Sequence, residues 1–182
     1  GTDGKLEEAR RRGAEPRSPA RAKEALESLR KRNEAIELYT YGGRMGETEA
    51  IEAGFSPVVV GRPEGETTDA SDTRKAVRRF LDEDVDLVLF VGGDGTAVDV
   101  AETLDERGGD TPVLGIPAGV KVYSSVFAVT PRAAGRIAAS FDRTERREVN
   151  DIDEDAYRGG DVETELRAIV SVPVDEELQS SK

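Results

Sequence analysis

The chain has 182 residues, enough for one full domain and part of another, and it carries 38 acidic against 26 basic residues for a formal charge of -12. That charge argues against a general role on nucleic acid or at a membrane surface, because phosphate polymers would be repelled. Cysteine and histidine are both absent, which excludes disulfides, thiolate metal sites, cysteine nucleophiles, the commonest general base and the usual zinc ligands.

Carboxylates, lysine, tyrosine and backbone amides are left to carry any chemistry. No stretch is apolar for long enough to span a bilayer, and the residues from Gly1 onward lack a charged-then-apolar signal pattern, so the reading is cytoplasmic. Arginine strongly outnumbers lysine, and the acidic residues are spread evenly rather than gathered in one tail. Such a surface is expected of a protein solvated in high salt, and it points to a salt-loving microbial origin.

After a polar, Arg-rich start, residues 20–32 predict a helix with Ala22, Ala25, Leu26 and Leu29 on one face. Residues 35–40 read as a strand, Gly42-Gly43 as its turn, and residues 47–53 as a helix closed by Gly54. The turn carries Arg44, the one arginine in a place to touch a phosphate; the simpler reading is a turn with an exposed Arg. A second strand is expected at 57–60, then a helix at 72–81 with Ala76, Val77, Phe80 and Leu81 inward. Thr67, Thr68, Asp72 and Thr73, between that strand and helix, either line a cleft or simply start the helix.

Residues 87–91 are continuously apolar, so they read as a strand covered on both faces, as in a parallel sheet. Directly after it stand Gly92, Gly93, Asp94, Gly95 and Thr96. Ligands of open parallel sheets gather at the carboxyl ends of strands, where glycine lets the backbone approach phosphate oxygens without a Cβ in the way. Thr96 is expected to open a helix over 96–104, whose first amides favour an anion. The alternative is a glycine turn in which Asp94 only caps the following helix.

A fourth strand is expected at 113–116 and a helix at 131–141 that Pro131 can start. The loop between them offers Gly119, Lys121, Ser124 and Ser125 at the same sheet edge. Lys121 either balances phosphate charge or is a solvated loop residue, and Ser125 either binds or caps the next turn. The alternation predicts an α/β fold, a doubly wound parallel sheet of Rossmann-like type. Beyond Phe141, extended segments at 146–152 and 165–174 without a crossover helix mark the start of a β-rich second domain. The domains expected are therefore 1–144 and 145–182. Arg78-Arg79 and Arg146-Arg147 read as solvated counter-charges.

The Gly92–Thr96 motif resembles the phosphate-binding motif of the superfamily of ATP-NAD kinases, diacylglycerol and sphingosine kinases and, more distantly, phosphofructokinases. Residues 113–131, from Val113-Leu114-Gly115-Ile116-Pro117 to Thr130-Pro131, look like the second signature of the ATP-NAD kinase-like branch grouped with acetoin-catabolism protein X. Gly65-Glu66-Thr67-Thr68 with Asp72-Thr73 is similar to an earlier loop of that branch, and the likeness runs from residues 1–5 to residues 150–157.

The resemblance implies an NAD kinase N-terminal domain that transfers phosphoryl from ATP, with Mg2+, or from inorganic polyphosphate, to the ribose hydroxyl of NAD. Asp94 would accept the hydroxyl proton or help hold the metal, and no separate metal site is assigned. Gly92, Gly93, Gly95, Thr96, Gly119, Lys121, Ser124 and Ser125 would bind nucleotide and phosphate. Asp94→Ala is then expected to remove activity while leaving the fold intact. Lipid kinases carry Asn and Asp in the second loop, which this chain lacks, so a lipid or other small-molecule kinase is the lesser reading. A nucleotide-sensing module without turnover is the reading from another class. The resemblance also implies a chain that begins after the family's first strand and stops as its second domain begins. The exposed strand edges would then invite a homo-oligomer.

Overall fold

The computed structural model describes residues 17–152 and 163–180; the likeness at residues 1–5 and 153–157 lies outside them. Helix α1, Arg17–Arg32, buries Ala25, Leu26 and Leu29, the face its periodicity announces. It leads to β1 (Tyr39–Thr40), a 3-10 turn (Gly43–Met45), α2 (Glu47–Glu52) and β2 (Val58–Val59). Then come α3 (Ala70–Asp82), β3 (Val88–Gly92), α4 (Asp94–Glu106), β4 (Val113–Pro117), α5 (Pro131–Ser140), β5 (Thr144–Ile152) and β6 (Thr164–Pro173).

Local chemistry accounts for the helix starts. Asp69 caps α3, accepting from the Ser71 amide, while Asp72 reaches back to the Asp69 amide at 3.1 Å. Thr130 caps α5 by accepting from the Ala133 amide at 3.0 Å, with Pro131 in the first turn as expected. Asp72, one of the residues considered for the cleft, is thus occupied in a capping box.

The fold is mixed α/β. Parallel pairing joins β1 to β2 and β3 to β4, and antiparallel pairing joins β5 to β6. The strands pair two by two rather than in one ladder, because among the described residues no strand lies between β1 and β3. A cavity of about 1200 Å3 opens there, lined by Leu38, Thr40, Leu89, Val91, Val77 and Phe80 among others. Both β1 and β2 are shorter than their apolar runs predict. Among the described residues each has a ladder partner on one side only, so pairing rather than composition sets their length. Thr40 Oγ1 and Glu49 Oε2 also border this space, buried and without a hydrogen-bond partner, and burial raises the Glu49 carboxyl above its ordinary range.

Beyond β4 the sheet continues through residues 126–128, where the Gly115 amide donates to the Val126 carbonyl and the Ala128 amide to the Gly115 carbonyl. Phe127 packs edge-on against Phe90 with ring centres 5.4 Å apart, over the space that a side chain at Gly115 would fill. The β5–β6 hairpin sends Val149, Val170 and Val172 into the same core as Val88, Leu114 and Ile137. Arg136 on α5 holds both Asp175 and Glu177, and this pairing keeps the Asp175 carboxyl below its ordinary range.

Of the arginines read as solvated counter-charges, Arg78, Arg146 and Arg147 meet particular carboxylates, and so does Arg74 beside them. Arg74 pairs with Asp99 and Glu102, and Arg78 with Glu106, so α3 and α4 are tied along their length. Arg146 reaches Asp110, and Arg147 reaches Glu145. These pairs are partly exposed, so each contributes at most about 1 kcal/mol. Among the described residues no helix is long and apolar enough to cross a membrane.

Candidate functional site

Gly92 ends β3 and pairs with Pro117 at the end of β4, and the Ala118 amide donates to the Gly92 carbonyl at 3.2 Å. The parallel register therefore sets the Gly92–Thr96 loop beside the loop that follows β4. Gly93 is extended, and α4 begins at Asp94, two residues before the expected start. The amides of that first turn have no carbonyl partner within the helix, so they can meet an anion.

Asp94 has a definite task. Its Oδ2 accepts from the Tyr123 amide and its Oδ1 from the Ser124 amide, each at 2.8 Å, and the residue is 8% exposed. It does not cap α4 with its side chain. It fastens the second loop to the glycine loop across the sheet edge, so Asp94→Ala is expected to cost stability as well as activity.

Ser124 and Ser125 are turned inward. The Ser124 hydroxyl donates to the Asn150 carbonyl at 3.0 Å and accepts from the Asn150 amide at 2.9 Å. The Ser125 hydroxyl makes the same two-way contact with Glu148, both at 3.3 Å. Exposure of 1% and 4% leaves both serines as fasteners of the loop onto β5. Lys121 lies in the open, its ammonium 4.8 Å from the centre of the Tyr123 ring.

The glycines differ in what demands them. A Cβ at Gly92 would stand 2.5 Å from Thr96 Oγ1, so Gly92 and Thr96 form a close-packed pair. At Gly93 a Cβ would meet Val120 at 3.3 Å, while Gly119 has φ +90°. Gly95 is exposed, and a Cβ there would meet nothing within 4 Å. Its φ is not positive, and it is the second residue of α4, where helix geometry does not call for glycine. The surrounding protein gives no reason for glycine at this position.

The first-strand turn meets the glycine loop across the cavity between β1 and β3, which Thr96 also lines. Glu47 accepts from the Gly43 amide at 2.7 Å and from both terminal nitrogens of Arg62 at 2.6 and 2.9 Å, contacts that hold its carboxyl below the ordinary range. Arg44, Thr68 and Thr73 border the cavity between β1 and β3.

Two residues at the site were not singled out from the sequence. Asn150 sits at an irregularity in the β5–β6 register and donates its side-chain amide to the Tyr123 carbonyl at 3.3 Å. Arg21 on α1 donates to the Pro117 carbonyl at 3.2 Å. Neither has a local sequence signal, since each is brought to the loop by pairing or packing from far along the chain.

With this geometry in hand, the family of the ATP-NAD kinase N-terminal domain matches residues 9–145, well over half of the chain. The chain belongs to the ATP-NAD kinase family. No curated protein and no solved structure matches it. Membership makes it a relative of nucleotide-binding phosphotransferases, and the matched span of the ATP-NAD kinase domain contains the glycine loop, Asp94 and the loop that Asp94 fastens.

The family's use of a divalent metal can be tested against the residues present. Among the described residues no three carboxylates stand together as a metal cage, and both Asp94 oxygens already accept from amides. This donor set does not fit a resident ion.

Proposed function

We propose that this domain binds the phosphates of a nucleotide at the Gly92–Thr96 loop and serves phosphoryl transfer from ATP, carried with Mg2+, or from polyphosphate, to the ribose hydroxyl of NAD. The observation that supports this most is Gly95, an exposed helical glycine that the fold does not require, beside first-turn amides that can receive an anion. Gly92, Gly93, Gly95 and Thr96 would carry the phosphate, with Gly119 and Lys121 from the facing loop. Ser124 and Ser125 would act through the loop they anchor.

Asp94 would orient that loop and, through the remaining lone pairs of its oxygens, receive the acceptor proton. Its two amide contacts also favour the second reading, a nucleotide-binding module without turnover, because they spend much of its acceptor capacity. The doubly wound sheet, the second domain from residue 145, the affinity with the acetoin-catabolism branch and the halophilic character are parts of the same reading. Residues 113–131 and the acidic surface support the last two.

One experiment separates the two readings. The 182-residue chain is incubated with ATP, magnesium and NAD, NADP formation is measured, and nucleotide binding is followed in parallel by melting temperature. Binding with NADP formation is the expected result. Binding without product leaves the sensing module, and neither effect overturns both.

A further inference from the structure

The sheet edge carries a guanidinium that the roles given so far do not use. Arg21 projects from α1 to the end of β4, where one terminal nitrogen donates to the Pro117 carbonyl at 3.2 Å. The rest of its fork lies against Gly119, at 3.0–3.2 Å from where a Cβ would stand. Gly119 has φ +90°, so the turn is shaped to leave room for that group. The next residue, Val120, comes within 3.3 Å of the Cβ position of Gly93. Arg21 thus lies beside Gly119, whose neighbour Val120 lies beside the glycine loop.

Charge makes the placement informative. In this acidic chain Arg62, Arg74, Arg136 and Arg167 all lie against carboxylates. Arg21, half-buried, has no carboxylate at ion-pair distance among the described residues, and a single carbonyl uses one of its five N–H donors. A partly desolvated cation with spare donors at the carboxyl edge of parallel strands is suited to a planar, doubly hydrogen-bonded oxyanion.

Resting on the function proposed above, we propose that Arg21 binds the phosphate oxygens of the nucleotide seated on the Gly92–Thr96 loop, so that α1 supplies the site's principal cation. The alternative is a purely structural clasp on Pro117. Titrations of ADP and of adenosine into the wild-type chain, Arg21→Gln and Arg21→Lys, each at low and high KCl, distinguish them. Arg21→Gln is expected to weaken ADP roughly tenfold or more, leave adenosine unchanged and flatten the salt dependence, with Arg21→Lys intermediate. Equal weakening of ADP and adenosine marks a structural clasp and overturns the inference, as does ADP binding that matches wild type. If the wild-type chain binds neither ligand, the proposed function fails first and this assignment with it.

Discussion

Replacing Asp94 by alanine is expected to destabilise the protein by roughly 3 kcal/mol, because it leaves two amides without their charged acceptor. The Tyr123 and Ser124 amides meet the carboxylate at 2.8 Å in a setting where Asp94 is 8% exposed and Ser124 1% exposed. Urea unfolding should show the loss as a lower midpoint, and hydrogen exchange should show faster exchange at residues 120–125 than elsewhere. Asp94→Asn retains the size but turns an NH2 toward one of the two amides, so it should recover only part of the loss. An unchanged midpoint in both variants would contradict the fastening role. Loss of activity in Asp94→Ala cannot therefore be assigned to proton transfer until the loop is shown to be in place.

The second large effect is at Gly135, where α5 crosses α1. A Cβ there would stand 2.2 Å from the Ala25 carbonyl oxygen, 2.7 Å from Ser28 Cβ and 2.9 Å from the Leu29 amide nitrogen. Two of these three atoms are backbone, so no rotamer change relieves the contact and the helices must part. Parting them breaks the bond from the Ser28 hydroxyl to the Arg132 carbonyl, 2.9 Å, and uncovers Leu29, 3% exposed. Gly135→Ala is expected to cost roughly 3 kcal/mol or more despite alanine's better helix propensity. Thermal melting checks it, and a stabilised variant would mean that the helices are not packed this closely.

Much of this was legible in the sequence, and the reasons differ by element. Helix α1 could be read because Ala25, Leu26 and Leu29 recur at helical spacing, and that face is the buried one. The apolar run ending in Gly92 gave β3 and its loop, since a strand with no polar face has few other fates. The lengths of β1 and β2 were not legible, because a strand ends where its partner ends. The role of Asp94 was hidden for a related reason: its acceptor contacts lie 29 and 30 residues away, beyond any local spacing rule. Arg21 and Asn150 reach the site across 96 and 27 residues, and nothing local distinguishes them from other surface arginines and strand asparagines. Spacing showed which residues belong at the sheet edge, and pairing and packing determined which of them hold the loops and which face outward.

The central claim is that the Gly92–Thr96 loop receives phosphate on its backbone, and Gly95→Ala tests it most directly. Beyond its chain neighbours and its own helix backbone, a Cβ at this position meets nothing within 4 Å, so the substitution leaves the fold unstrained and should hold or slightly raise the melting temperature. Calorimetric titration of ADP into the wild-type chain and into Gly95→Ala is the measurement. The account predicts an affinity at least roughly tenfold weaker in the variant, as the methyl group intrudes where a phosphate oxygen approaches. Undiminished ADP binding by a stably folded Gly95→Ala would contradict it, and the glycines would then serve the turn alone.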